Sequence, residues 1–141
     1  MTNNFFKTFL ILFFFLPNIL VANTEYFNEG LSLFNNKKFN EAKFKFEQDI
    51  VFNPKNEMSY LYLSKIYRGF DKKNLEEQNL NTVILINPKN EEAIYNLAKL
   101  KLESSDYKKS KELNDKLLSL CNNFCEKSKN LKKEIENLSK K

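Results

Sequence analysis

The chain has 141 residues, with 23 basic against 18 acidic side chains and a formal charge of +5, a length that suits one small domain. Histidine is absent and cysteine occurs only twice, which excludes imidazole acid–base chemistry, Ser-His and Cys-His pairs and histidine-ligated zinc. Two glycines are too few for a Gly-rich phosphate loop, and lysines dispersed among glutamates argue against a nucleic-acid partner.

Residues 1–22 open with a polar stretch whose one charge is Lys7, continue through the unbroken apolar run Phe9 to Leu16, and end at Ala22. Basic start, apolar middle and small final residue are the order of a secretory signal. Cleavage after Ala22 is expected. The alternative is an uncleaved membrane anchor, because Phe5 to Ala22 is nearly long enough to span a bilayer. No cysteine stands near the cut, so a lipoprotein is excluded. The expected location is a bacterial periplasm, or its inner membrane if the segment is retained.

Beyond Ala22 a pentapeptide organises the chain. Asn53-Pro54-Lys55-Asn56-Glu57 returns thirty-four residues later as Asn87-Pro88-Lys89-Asn90-Glu91. Proline lacks an N–H and biases its predecessor away from helix, so each copy separates two helices. Setting both prolines to one phase gives units 23–56, 57–90 and 91–124. Within the second, Tyr60, Leu63, Ser64 and Tyr67 recur at i, i+3, i+4 and i+7 and share a helix face. Gly30, Ser64 and Ala98 fall at one phase, where a neighbouring helix must come close. Asn35 to Lys38, Gly69 to Lys72 and Ser104 to Asp106 read as polar turns inside each unit, with Asp106 suited to cap the helix that begins at Tyr107. No segment alternates apolar and polar residues, so no sheet is expected. Residues 125–141 form a last helix with a narrow stripe of Leu131, Ile135 and Leu138, able to cover a repeat end with one face and meet water with the other.

This pattern resembles the tetratricopeptide repeat (TPR), a thirty-four-residue unit of two antiparallel helices, A and B. The first unit supplies Tyr26, Gly30, Leu33, Ala42, Phe46 and Pro54 at the preferred positions and departs at Glu29 and Asp49. The second supplies Tyr60, Leu63, Ser64, Tyr67, Leu80, Val83 and Pro88, with Glu76 in place of alanine. The third keeps Ile94, Leu97, Ala98, Tyr107 and Leu117 but carries Ser110, Asn114 and Asn122 where small, aromatic and proline residues are usual. The resemblance covers residues 23–124 and implies an all-α TPR-like α-solenoid of three helix-turn-helix repeats with a C-terminal capping helix.

It also implies a concave groove lined by the A helices, where partner peptides dock. The groove positions here are Phe27, Leu31 and Phe34, then Leu61, Lys65 and Arg68, then Tyr95 and Lys99, with Leu102 beyond them. By spacing alone Leu61, Lys65 and Arg68 share one face. An apolar floor with cations above it suits a peptide or helix carrying acidic groups. The carboxylate-clamp subtype needs a fixed Lys/Asn/Arg set, of which only Asn28, Asn96 and Lys99 are reminders.

Cys121 and Cys125 flank Asn122-Asn123-Phe124. In an oxidising compartment such thiols pair, and a structural disulfide is expected; free buried thiols, or a redox or metal-binding pair, are the alternatives. The spacing is not C-x-x-C and no further ligand completes a metal set. The acidic pairs Glu76-Glu77 and Glu91-Glu92 are expected at helix starts or exposed positions, and negative charge near a helix N-terminus suits the dipole, so Glu91 and Glu92 need no catalytic role. The function expected is an exported, non-catalytic protein-binding adaptor without cofactor or metal. The alternatives are a membrane-anchored subunit of an envelope assembly complex and a thiol-active periplasmic protein using Cys121 and Cys125. Self-association is a further possible mode.

Overall fold

The computed structural model describes residues 23–139; the signal segment expected at residues 1–22 lies outside them. The described residues form seven helices and no strand: α1 (Asn23–Asn35), α2 (Phe39–Phe52), α3 (Glu57–Gly69), α4 (Lys73–Ile86), α5 (Glu91–Glu103), α6 (Tyr107–Leu120) and α7 (Cys125–Leu138). They divide into two compact units, one ending at Pro54 and the other beginning at Lys55.

The first unit is the hairpin of α1 and α2. Tyr26 near the start of α1 stacks on Phe52 at the end of α2, with ring centroids 5.5 Å apart. Phe34 meets Phe39 edge-on across the turn at 5.4 Å. The two helices meet at Gly30, where an added Cβ would lie 2.9 Å from two ring carbons of Phe46. Glycine is needed at this phase because the buried Phe46 ring fills the space a methyl group would take. Glu29 and Asp49, the departures from the repeat pattern, have different fates. Glu29 forms an ion pair with Lys45, while Asp49 is fully buried.

The second unit packs α3 against α4, α4 against α5, α5 against α6, and α7 chiefly against α6. Its continuous core includes Leu61, Leu80, Val83, Ile94, Leu97, Leu113 and Leu117, closed by Leu131 and Ile135 of α7. Ser110 and Asn114 looked like weakened repeat positions in sequence, yet both are buried and hydrogen-bonded. The Ser110 hydroxyl donates to the Ala98 carbonyl at 2.8 Å. Asn114 donates through Nδ2 to the Ser128 carbonyl at 3.1 Å and accepts from the Ser128 hydroxyl at 2.7 Å. Asn114 thus docks the capping helix, whereas Ser110 ties α6 to α5.

The turns inside the three hairpins share one backbone solution. Lys37, Asp71 and Ser105, each thirty-four residues from the next, adopt left-handed φ values of 61°, 54° and 61°. Behind them the N–H groups of Lys38, Lys72 and Asp106 each return at 2.9 Å to the carbonyls of Leu33, Tyr67 and Lys101, which satisfies carbonyls that a helix end leaves open. Gly69 does not take the left-handed role. Helices α3 and α5 begin with side-chain caps: Asn56 Oδ1 accepts from the Met58 N–H at 3.2 Å and Asn90 Oδ1 from the Ala93 N–H at 2.9 Å. Asp106 caps α6 through the Lys109 N–H at 3.0 Å, as its sequence position implied. The last asparagine of each pentapeptide thus starts the helix that the proline had separated from its predecessor.

Candidate partner-binding face

In the second unit α3 and α5 present a common face of half-buried aromatic rings and charged side chains. Ion pairs tie the two helices together along it. Lys65 Nζ lies 2.8 Å from Glu92 Oε1 and also sits over the Tyr62 ring, 4.7 Å from its centroid. Arg68 donates to Glu103 and, at 3.0 Å, to Glu76. Farther along, Tyr95 packs against Phe124 with ring centroids 5.5 Å apart, and Lys127 Nζ lies 4.5 Å from the Phe124 centroid and 5.8 Å from that of Tyr95. Aromatic rings with cations over their faces gain an electrostatic attraction as well as apolar contact.

Glu76 is only 2% exposed. Burial pushes its carboxyl up, and the Arg68 guanidinium offsets this only in part. Burial works on Arg68 in the opposite sense, but its hydrogen bonds to Glu103 and Glu76 more than compensate and hold it raised. The pair is therefore a bridge from α3 to α4 and α5, and the glutamate that replaces a consensus alanine makes it.

Glu91, 8% exposed, is the best-coordinated carboxylate described. It accepts the backbone N–H groups of Asn122 at 2.6 Å, Asn123 at 2.8 Å and Phe124 at 2.9 Å. Burial would raise its pKa, but the three backbone donors outweigh that and hold the carboxyl below the usual range. Consecutive N–H groups converging in a turn form an anion-binding nest, here filled by the protein's own side chain. Glu57 does a related job one repeat earlier, accepting from the side-chain amides of Asn87 at 3.0 Å and Asn90 at 3.5 Å. The glutamate ending one pentapeptide thereby grips the corresponding loop of the next repeat.

Solved structures share this fold. The first TPR of Spaghetti bound to the HSP90 peptide SRMEEVD superposes with a TM-score of 0.75 at 18% identity, covering 84% of this chain and 94% of that one. The Sgt2 TPR domain from Aspergillus fumigatus gives 0.72 at 17% identity, covering 86% and 83%. The Yersinia enterocolitica type III secretion chaperone SycD, in complex with a peptide of the translocator YopD, gives 0.75 at 15% identity, covering 88% and 100%. The fold is TPR-like. No protein-family model and no curated protein matches the chain, and at these identities the likeness extends to fold alone.

In TPR terms α1, α3 and α5 are A helices, and the groove residues read from sequence fall on them in two groups. In the first unit Phe27 tilts against Phe46 with centroids 5.8 Å apart, Phe34 packs on Phe39, and Leu31 is half-buried. In the second, Leu61 departs from the expectation. At 1% exposure it belongs to the core with Ile94 and Leu97 and offers nothing to a partner. The helix face buried against its own repeat is wider than the spacing of groove positions suggested. Lys65 and Arg68 were read as cations awaiting an acidic partner; both already pair with carboxylates of this chain. Tyr95 and Lys99 lie half-buried on α5.

Glu76 and Glu91 lie in the first turns of α4 and α5, as expected, but both are buried, and each also holds another segment. No signal in the sequence marked their partners. Cys121 and Cys125 are joined in a disulfide, their Cα atoms 4.9 Å apart. Among the described residues, no three His, Cys, Asp or Glu side chains cluster as a metal site, and no helix is long and apolar enough to cross a membrane.

Proposed function

We propose that this chain is an exported, non-catalytic adaptor that binds another protein through the A-helix face. The carrying observation is the preformed strip on α3 and α5, in which aromatic rings lie among charged groups held in place by cross-helix ion pairs. Such a surface loses little side-chain freedom when a partner docks, because its long side chains are already ordered. Rings that are half-buried supply contact area, and the charges set orientation more than affinity. The solved TPR structures holding an HSP90 peptide and a YopD peptide support the reading by analogy of fold. Because Lys65 and Arg68 are internally neutralised, the partner is recognised chiefly through apolar and aromatic contact.

The test is photocrosslinking in the native host from Met58 or Lys99, with Asn81 on α4 as the control. A single protein captured from Met58 and Lys99 but not from Asn81 supports the adaptor. Equal capture from both sides, or self-crosslinks alone, discards it. Export rests on residues 1–22 and is tested separately by the mature N-terminus. Asn23 marks cleavage and release, whereas Met1 on a membrane-bound chain marks the anchored form.

A further inference from the structure

Helix α7 is attached to the second unit by few but specific contacts. Its buried apolar side chains are Leu131 and Ile135, and most of its remaining surface is charged or polar and exposed. A fourteen-residue helix of this composition is marginal by itself in water, so its order depends on how it is fastened. Two fastenings are non-covalent: the Asn114–Ser128 pair near its first turns and the Glu91 carboxylate on the loop before it. The third is the disulfide, which closes around the three residues whose N–H groups grip Glu91. Cys121 also sits at φ 31° in the left-handed region, a conformation unfavourable for a residue with a Cβ. Its backbone is kept there by the N–H bond to the Leu117 carbonyl at 3.0 Å and by the bridge to Cys125.

We propose that the Cys121–Cys125 disulfide is a redox latch on α7, and that reduction by a dithiol lets this helix leave α6 while the repeats beneath it stay folded. In that step a reductant thiolate attacks one sulfur and the other leaves as a thiolate that takes a proton. The reductant's second thiol then resolves the mixed disulfide. Two electrons and two protons pass to the chain, leaving two cysteines and an oxidised dithiol. The loop is then free to leave the left-handed turn, its N–H groups no longer converge on Glu91, and the side of α6 bearing Asn114 loses its cover. Opening a ring this small raises the released population about 30-fold on the chain-entropy estimate. The effect is local because the released helix docks mainly on α6. The latch is independent of which partner occupies the A-helix face.

The experiment is hydrogen exchange by mass spectrometry on the full chain, compared as the air-oxidised protein and after dithiothreitol. The expected result is a rise of about 30-fold in exchange over 122–135, with α3, α4 and α5 unchanged. The Cys121→Ser/Cys125→Ser protein should show the reduced pattern without any reductant. Equal acceleration throughout α3 to α6 would make the disulfide a general stabiliser and overturn the latch. Unchanged exchange in α7, or free thiols in the oxidised protein, would overturn it as well.

Discussion

Glu91 Oε1 accepts the backbone N–H of Asn122 at 2.6 Å, a bond that exists only because residue 122 is not proline. In the two pentapeptides that position is Pro54 and Pro88, which have no N–H to give. The third unit's departure from the repeat pattern is therefore the feature that lets a buried glutamate seize the start of α7. Replacing Asn122 with proline is expected to remove this donor and loosen α7 first. Circular dichroism and exchange over α7 would show it, and a variant as stable as the parent would contradict the assignment.

The same carboxylate makes stability depend on pH. Glu91 is held below the ordinary range, so its contribution is fully present above the unfolded value of about 4.3 and is lost as pH falls through the lower folded value. Glu76 has the opposite sign. Its raised carboxyl contributes stability that is complete below about 4.3 and lost as pH rises through the folded value. Melting of the parent and of Glu91→Gln should converge on acidification. Curves that stay parallel down to pH 2 would remove Glu91 from this role.

The two glycines should respond to alanine in opposite directions. At Gly30 the new methyl group meets the buried Phe46 ring at 2.9 Å. Overpacking of that kind costs about 1–3 kcal/mol, more than the roughly 1 kcal/mol that alanine gains in a helix. At Gly69 nothing lies within 4 Å, so only the propensity gain, up to about 1 kcal/mol, remains. Thermal melts of the two variants should move apart, and a stabilised Gly30→Ala would show that the hairpin has room to spare.

Ser105 offers a stabilising substitution. Its φ of 61° disfavours a side chain, and glycine removes that cost, about 1 kcal/mol. The gain is reduced by glycine's greater freedom in the unfolded chain. Ser105→Gly is expected to raise the melting temperature slightly, and Ala at the same site should not.

Asn114 and Ser128 form a closed pair of buried polar groups. Truncating either one to alanine strands its partner and should cost about 1–3 kcal/mol. Removing both should cost less than the two single changes combined. Additive single and double variants in urea melts would mean the pair is not coupled.

The sequence by itself determined the architecture. A proline at a fixed phase, small residues where helices meet, and apolar positions at helical spacing are local or periodic signals, and α1 to α7 follow them closely. Asp106 as a cap was readable for the same reason: its acceptor reaches an N–H three residues on. What only the tertiary structure decided were the contacts between segments about thirty residues apart. Glu91 with Asn122, Glu57 with Asn87 and Arg68 with Glu103 all depend on how one helix is rotated and advanced against another. That same rotation buried Leu61 and neutralised Lys65. Helical periodicity states which residues share a face, but which neighbour covers that face, and which charge waits opposite, is settled when the helices pack.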